Sequence, residues 1–158
     1  MMDKQKLRAA ILDRLAADLD LQLRAANLAR DEAISEESKA ENKYDTRAQE
    51  AAYLAQGQAR QAAEIQEAMT LYQQLPMDAI NGSVTLGALV ELGGAGGERF
   101  YFFGPRAGGL DVEIDGTSIT VVTPASPLGR QLFGRRVGDQ VNLPGRTRPV
   151  LQTITAIY

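Results

Sequence analysis

The side chains able to do chemistry here are carboxylates, lysines and hydroxyls, because the sequence has neither cysteine nor histidine. This excludes disulfides, thiolate or imidazole zinc sites, and nucleophiles that need a histidine base. The densest group of the remaining kind spans residues 31–45, where six acids and two lysines give a net charge of −4. Such a cluster either has a function or solvates a helix end and complements its dipole. Both readings stay open.

Three other segments could have a function. The last third of the chain is rich in arginine, which makes either a docking face or a solvated surface; these residues are Arg130, Arg135, Arg136, Arg146 and Arg148. The glycine-rich segment 93–97 lacks the following lysine and helix that a phosphate loop needs. The four aromatic residues at positions 100–103 favour a buried strand over a ligand pocket.

Composition places the chain among folded, soluble proteins. It has 158 residues, of which 44% are hydrophobic and 23% charged, enough for one ordinary domain or two small ones. We expect a cytoplasmic protein without a membrane segment or secretion signal, because no apolar stretch is long enough. Residues 1–76 carry a net charge of −3 and residues 77–158 are neutral, so non-specific DNA binding is disfavoured.

The elements that must position these groups change type at Pro76. Before it there is one glycine and no proline, whereas fourteen glycines and the other five prolines follow it. The sequence therefore predicts two domains. Residues 1–76 form an antiparallel coiled-coil hairpin with an acidic tip near 36–45, and residues 77–158 form a β-rich domain.

The hairpin is predicted from two ladders of mostly apolar residues, spaced alternately three and four apart. The first ladder contains Leu12, Leu15, Leu19, Gln22, Ala26, Ala29 and Ala33, and the second contains Tyr44, Ala48, Ala51, Ala55, Gln58, Ala62, Ile65, Met69 and Tyr72. If the chain folds back near residue 40, opposed positions sum to about 80 or 81. Gln22 then faces Gln58, and this polar contact would fix the register. The alternative is an ordinary dimerising coiled coil.

The second half predicts an antiparallel sheet with one short helix, and thus an α+β fold class. Apolar runs mark five strands, at 84–92, 99–103, 119–122, 137–143 and 150–157. Asp115-Gly116 is a good two-residue hairpin turn. Ser126 and Pro127 are suited to the cap and the first position of a helix, which packs through Leu128, Leu132 and Phe133.

Two motifs in this half carry a family resemblance. Ser126-Pro127-Leu128-Gly129-Arg130, followed by Gly134-Arg135-Arg136-Val137-Gly138-Asp139, resembles the bacterial Gre transcript-cleavage and elongation factors. In the first half, Glu41-Asn42-x-Tyr44, with Tyr53 nine residues further on, is similar to that family's tip region. The resemblance covers nearly the whole chain, and its C-terminal motif is the more specific part.

The resemblance implies an accessory factor rather than an enzyme. Its C-terminal domain would be FKBP-like and would dock on RNA polymerase at the rim of the secondary channel. The polymerase-docking residues would be Ser126, Pro127, Arg130, Arg135 and Arg136. The coiled coil would enter the channel, where tip acids help hold the polymerase's second catalytic Mg²⁺ while the polymerase cuts backtracked RNA.

In this chain Glu37 and Glu41 would be the acids assisting that Mg²⁺, with Asp45 as a further candidate. Asn42 and Tyr44 would shape the turn. The resemblance implies no cofactor of the protein's own and no stably bound metal. The expected partner is bacterial RNA polymerase, with indirect contact to nascent RNA and no membrane, and the expected state is a monomer.

The tip departs from the family pattern, which is Asp-x-x-Glu-Asn with a tyrosine four residues after the glutamate. Aligned on Tyr44, the chain has Glu37 at the first acid but Ala40 at the second. Aligned on Glu41, it has Ser38 at the first acid and one residue too few before the tyrosine. Cleavage stimulation and channel occupancy without cleavage, or inhibition, both stay open.

Two further hypotheses belong to other classes. The protein could be a regulator that binds a different partner through its β domain. It could also be an independent enzyme such as a prolyl isomerase, although a shared fold does not transfer an activity.

Overall fold

The computed structural model describes residues 2–39, 47–143 and 147–158. Two long helices, α1 (Lys4–Lys39) and α2 (Arg47–Gln74), precede six strands and one short helix. These later elements are β1 (Leu89–Gly94), β2 (Arg99–Phe103), β3 (Asp111–Ile114), β4 (Thr117–Val122), α3 (Pro127–Leu132), β5 (Gln140–Leu143) and β6 (Val150–Ile157). The predicted α+β class, with helices first and a sheet with one short helix second, is confirmed.

The chain divides into two compact units. The helical unit comprises residues 13–70, and the sheet unit comprises residues 1–12 and 71–158. The secondary structure changes after α2, close to Pro76, but the sheet unit also contains the first turns of α1 and the last residues of α2. This grouping differs from the predicted domains, which placed all of residues 1–76 in the hairpin.

Burial along the helical unit follows the predicted ladders. Every ladder residue between 13 and 70 whose burial is described is buried or half-buried, including Leu15, Ala26, Ala29, Ala51 and Ala62. Most residues between them on the helix surface are exposed. The two spacings therefore identify the buried face of each helix correctly.

The two glutamines of the ladders are partly buried but do not form the hydrogen bond that would join their side chains. The Oε1 atoms of Gln22 and Gln58 are both inaccessible to solvent and neither accepts a hydrogen bond. A buried amide oxygen without a partner lowers stability by about 1–3 kcal/mol. The polar contact that was predicted to fix the register is therefore not made through a hydrogen bond between these two side chains.

The sheet has the order β3-β4-β2-β1-β6-β5. All neighbouring strands are antiparallel except β2 and β4, which run parallel with Phe100 opposite Ile119. The prediction of a purely antiparallel sheet is wrong at this pair because it missed β3. The chain reverses direction twice between β2 and β4, at each end of β3, so β4 returns in the direction of β2.

The predicted hairpin turn does connect β3 to β4. Asp115 and Gly116 both adopt positive φ angles, of 49° and 81°. Consecutive residues with φ above zero give the twist that matches two antiparallel strands, and Asp-Gly is well suited to it. The turn prediction is confirmed although the strand before it was not foreseen.

The sheet unit has a core of large side chains. Phe102 and Phe103 of β2 are fully buried, which confirms that the aromatic run is a central strand. One buried cluster consists of Val84, Ala88, Val90, Leu92, Phe103, Val122, Leu132, Val141, Leu143 and Ile154. Leu132 and the half-buried Leu128 attach α3 to this cluster. The sheet and α3 are thereby held as one body.

The end of α2 is built into the same unit. The Tyr72 hydroxyl donates a 2.6 Å hydrogen bond to the Arg106 carbonyl, and its ring lies beside Phe102. A Cβ atom on Gly104 would overlap the Tyr72 hydroxyl, so this position requires glycine. At the start of α1, Arg8 Nη1 donates to the Gln73 carbonyl at 2.9 Å. The first turns of α1 thus lie beside the end of α2, as expected for an antiparallel pair.

Candidate functional site

The first motif residues, Ser126 to Arg130, build the N-terminus of α3. Ser126 is the N-cap, with extended backbone angles, and its Oγ accepts a 3.0 Å hydrogen bond from the Gly129 amide. The same hydroxyl donates to the Thr123 carbonyl at 2.9 Å. Pro127 stands at the first helical position, where its missing amide hydrogen is not needed. These two predicted docking residues therefore have a structural role, and their types are explained by the helix start alone.

Gly129 completes this turn because nothing larger fits. A Cβ atom at this position would overlap the Thr123 carbonyl oxygen and press against Ser126 Oγ. The residue is buried, and α3 passes directly over the chain that leads into it. The close approach holds the following residue, Arg130, at a fixed place on an exposed surface.

The second motif, residues 134–139, forms a closed turn. The Arg136 amide donates to Asp139 Oδ2 at 2.9 Å, and the Asp139 amide donates back to the Arg136 carbonyl at 3.0 Å. Gly134 and Gly138 both have positive φ, at 76° and 95°. Two glycines and one aspartate thus fix the path of the backbone.

The arginines of both motifs are presented to solvent. Arg130, Arg135 and Arg136 are all exposed, and Arg135 Nε donates to the Gln131 carbonyl at 3.0 Å. Ion pairs among the described residues include those of Lys6 with Asp115, Arg14 with Asp18 and Arg24 with Asp20, and none of these three pairs contains a motif arginine. Three positive charges on one short segment can attract an acidic surface.

Two apolar residues in this segment were not predicted to be at the surface. Phe133 is 61% exposed and Val137 is 58% exposed. Phe133 was expected to pack with Leu132, but it is the C-cap residue, with φ −54° and ψ 125°, where the chain has left the helix. Its ring still lies 6.2 Å from that of Phe103. We call Arg130, Phe133, Arg135, Arg136 and Val137 the motif surface.

The edge of the sheet next to α3 is capped by a side chain. Gln131 Nε2 donates to the Asn142 carbonyl, and Gln131 Oε1 accepts from the Asn142 amide, both at 2.8 Å. This pair of bonds imitates a neighbouring strand on β5, an edge strand of the sheet. The cap links α3 to β5 and steadies the motif surface. No pattern in the sequence marks Gln131 as the residue that caps this edge strand.

Of the predicted tip residues, Glu37 lies in a described element. Glu37 lies in the last turns of α1, which continues to Lys39, so the first part of the acidic segment is helical. Glu41, Asn42, Tyr44 and Asp45 lie outside the described residues. Their assignment to metal contact and turn shape remains a prediction.

No described helix is both long and apolar enough to cross a bilayer. Among the residues whose placement is described, no three acidic side chains are arranged to hold a metal ion.

Comparisons with known proteins gave matches only among solved structures. Neither a protein-family model nor a curated protein matched the chain. The GreA factor homolog 1 (Gfh1) of Thermus thermophilus is 19% identical over 93% of this chain and 94% of that one, with a TM-score of 0.37. A second structure of the transcription factor Gfh1 is 19% identical over 94% of both chains, with a TM-score of 0.41.

Gfh1 of Thermus aquaticus is 18% identical over 92% of both chains, with a TM-score of 0.40. These identities and TM-scores are too low to establish that the chain belongs to the same family.

Proposed function

We propose that this protein is an accessory factor of bacterial RNA polymerase, similar in action to the Gre factors. The motif surface binds the polymerase at the rim of its secondary channel. The helical hairpin enters the channel and brings Glu37 and Glu41 to the active site, where they act on the polymerase's own Mg²⁺. The protein itself performs no catalysis.

The observation that carries this proposal is the construction of the motif surface. Ser126 and Gly129 fix the start of α3, and the adjoining turn presents arginines beside exposed apolar side chains. Basic and apolar groups together suit an acidic partner with an apolar centre, because interface cores favour aromatic and arginine residues. The paired helical ladders support the second half of the proposal, since they give a long element for a narrow channel.

Binding to core RNA polymerase tests the docking step. We expect the full chain to bind the core enzyme and to be displaced by a known secondary-channel protein. Arg130→Glu should weaken binding at least about tenfold, equivalent to roughly 1.4 kcal/mol. Arg99→Glu is the matched control, because Arg99 is also exposed but lies at the start of β2. Equal affinities for the two variants would contradict the assignment of this surface.

The acidic segment is tested separately with stalled, backtracked transcription complexes. If Glu37 and Glu41 assist the metal, the wild type accelerates RNA release and the Glu37→Ala/Glu41→Ala variant does not. Binding of the variant to the polymerase should be unchanged, since the motif surface is intact. Equal cleavage by both proteins, with binding retained, would remove the metal role.

Channel occupancy without cleavage is the second candidate, and the departure at the tip favours it. Neither alignment of residues 37–44 restores both acids of the family pattern, because Ala40 or Ser38 stands in place of one of them. A single carboxylate holds a divalent ion less well than two. On this reading the wild type binds the polymerase and slows transcription without releasing RNA.

A further inference from the structure

The segment between α2 and β1 contains the only Asn-Gly pair in the sequence, Asn81-Gly82. Both residues are exposed. Glycine has no side chain to shield its backbone nitrogen, and it rotates more freely than any other residue. An asparagine side-chain amide is therefore most open to attack by the next backbone nitrogen when that next residue is glycine. The proposed function makes no use of this pair.

The surroundings of the pair leave it free to move. Among the residues that the structure describes, none forms a hydrogen bond with Asn81 or Gly82. A Cβ atom built on Gly82 would find no heavy atom within 4 Å, so the space beside this residue is open. Neither a backbone bond nor a packed neighbour therefore opposes the rotation that brings Asn81 Cγ to the Gly82 nitrogen.

The chain is fixed on both sides of the pair. Ile80 packs against the buried cluster of the sheet unit, and Val84 is fully buried. The Val84 amide donates to the Arg135 carbonyl at 2.8 Å, and the Gly134 amide donates to the Val84 carbonyl at 2.9 Å. The segment that follows Gly82 is thus joined through its backbone to the turn formed by residues 134–139.

The pair Asp115-Gly116 shows how a turn can prevent the same approach. Both of its residues have positive φ, at 49° and 81°, and the flanking Ile114 and Thr117 are paired across β3 and β4. Attack by the Gly116 nitrogen would require the chain to leave this turn, which the strand pairing opposes. Asn81, in contrast, is not among the described non-glycine residues with positive φ, and no strand pairing holds it.

We propose that Asn81 is a site of spontaneous modification, at which the side-chain amide is converted to a carboxylate. The Gly82 backbone nitrogen bonds to Asn81 Cγ, the Cγ–Nδ2 bond breaks, and the proton of the Gly82 amide leaves with the ammonia. Water then opens the resulting five-membered imide at either of its carbonyl carbons. The products are aspartate and isoaspartate, with water consumed and ammonia released.

The modification should also loosen the turn that Val84 holds. Both products add a negative charge at position 81, and isoaspartate lengthens the main chain by a methylene. Because Ile80 and Val84 are fixed, the segment between them has little room for the added length. We expect the Val84 and Gly134 amides, which form the two backbone bonds to this turn, to exchange hydrogen faster in the modified protein.

Peptide mapping by mass spectrometry, on the full chain aged in buffer, tests the site. The tryptic peptide 61–99 contains Asn81 as its only asparagine. This peptide should gain a carboxylate, and isoaspartyl methyltransferase should label it. The peptides containing Asn27 of α1 and Asn142 of β5 should keep their amides. The rate should rise with pH, because the attacking nitrogen must lose its proton.

Two variants separate the role of the residue pair from that of its surroundings. Asn81→Gln should abolish the change in peptide 61–99, because attack on the longer side chain must close a larger ring. Asp115→Asn places the same pair in the hairpin turn, and position 115 should be modified at least about fivefold more slowly than Asn81, since the turn must open first.

Three results would overturn the proposal. Asn81 could keep its amide for as long as Asn27 and Asn142 do, the Asn81→Gln peptide could change at the wild-type rate, or position 115 of Asp115→Asn could be modified as fast as Asn81. Unchanged hydrogen exchange of the Val84 and Gly134 amides in the modified protein would contradict the effect on the turn.

Discussion

The helical unit and the sheet unit are stabilised by different kinds of side chain. Among the residues between 13 and 70 whose burial is described, the buried apolar side chains are those of Leu15 and five alanines. The sheet unit buries large residues, among them Tyr72, Phe102, Phe103 and Leu92. Because each buried methylene contributes about 0.8 kcal/mol, the alanine-lined helices gain far less from packing than the sheet does.

The sizes of the buried side chains suit the helical unit and the sheet unit to different tasks. Alanine side chains let two helices approach closely, and they favour the helical backbone itself. The helical unit therefore keeps its form through local propensity and a narrow contact face. The sheet unit depends on long-range contacts among large side chains, and it can hold a surface or a cavity in a fixed geometry.

The strongest test of this contrast is a large truncation in the sheet core. Phe103→Ala should lower the free energy of unfolding by about 3–5 kcal/mol, because it removes a fully buried ring and leaves a cavity. Phe133→Ala makes the same chemical change at a residue that is 61% exposed, and we expect a loss below about 1 kcal/mol. Urea denaturation monitored by circular dichroism measures both. If the two variants lose similar amounts of unfolding free energy, the buried core of the sheet unit does not supply most of its stability.

Glycine-to-alanine changes should have opposite signs in the two units. Gly129→Ala places a methyl group against the Thr123 carbonyl and should destabilise by about 1–3 kcal/mol or more. Gly57 lies within α2 with nothing near its missing side chain, so Gly57→Ala should stabilise by about 0.5–1 kcal/mol. Thermal melting of both variants gives the comparison. A stabilised Gly129→Ala would contradict the close approach described at α3.

The Tyr72 hydroxyl tests how firmly α2 is held in the sheet unit. Tyr72→Phe removes the bond to the Arg106 carbonyl and should cost about 0.5–1.5 kcal/mol at neutral pH. Burial raises the pKa of Tyr72 well above its ordinary value, so the folded state keeps this proton when the unfolded state loses it.

Stability contributed by this group is present below pH ~10 and is lost as the pH rises further. The wild type should therefore lose stability more steeply than Tyr72→Phe above that pH. Urea titrations at a series of alkaline pH values measure the two slopes. Parallel slopes would show that the hydroxyl is not buried in solution.

The smallest expected effect concerns the amides of the helical unit. Gln58→Leu replaces a buried oxygen that has no partner and should stabilise by up to about 1 kcal/mol. Hydrogen exchange should show slower opening of α2 near this position. Gln61→Leu is the control, because Gln61 is exposed on the same helix. If Gln58→Leu lowers the stability and Gln61→Leu does not, the contact between Gln22 and Gln58 does fix the register of the two helices.

Much of this fold follows from local rules that the sequence displays openly. The three-and-four spacing predicts the buried faces of α1 and α2, and Ser126-Pro127 predicts the start of α3. Asp115-Gly116 predicts its turn, because only certain residues accept two successive positive φ angles. Each of these features depends on residues close together in the chain, so the local sequence is sufficient to predict it.

Other features were decided only by contacts between distant residues. The parallel pairing of β2 and β4 depends on β3, whose exposed Asp111 and Glu113 hide the strand pattern. Lysine is usually exposed, yet Lys4 is buried, and its hydrogen-bond partners Asp78 and Tyr158 lie 74 and 154 positions away in the chain. Phe133 is apolar, yet it is exposed because the helix ends there. Local sequence sets the helices, their buried faces and the turns, whereas the pairing of β2 with β4 and the burial of Lys4 depend on residues far apart in the chain.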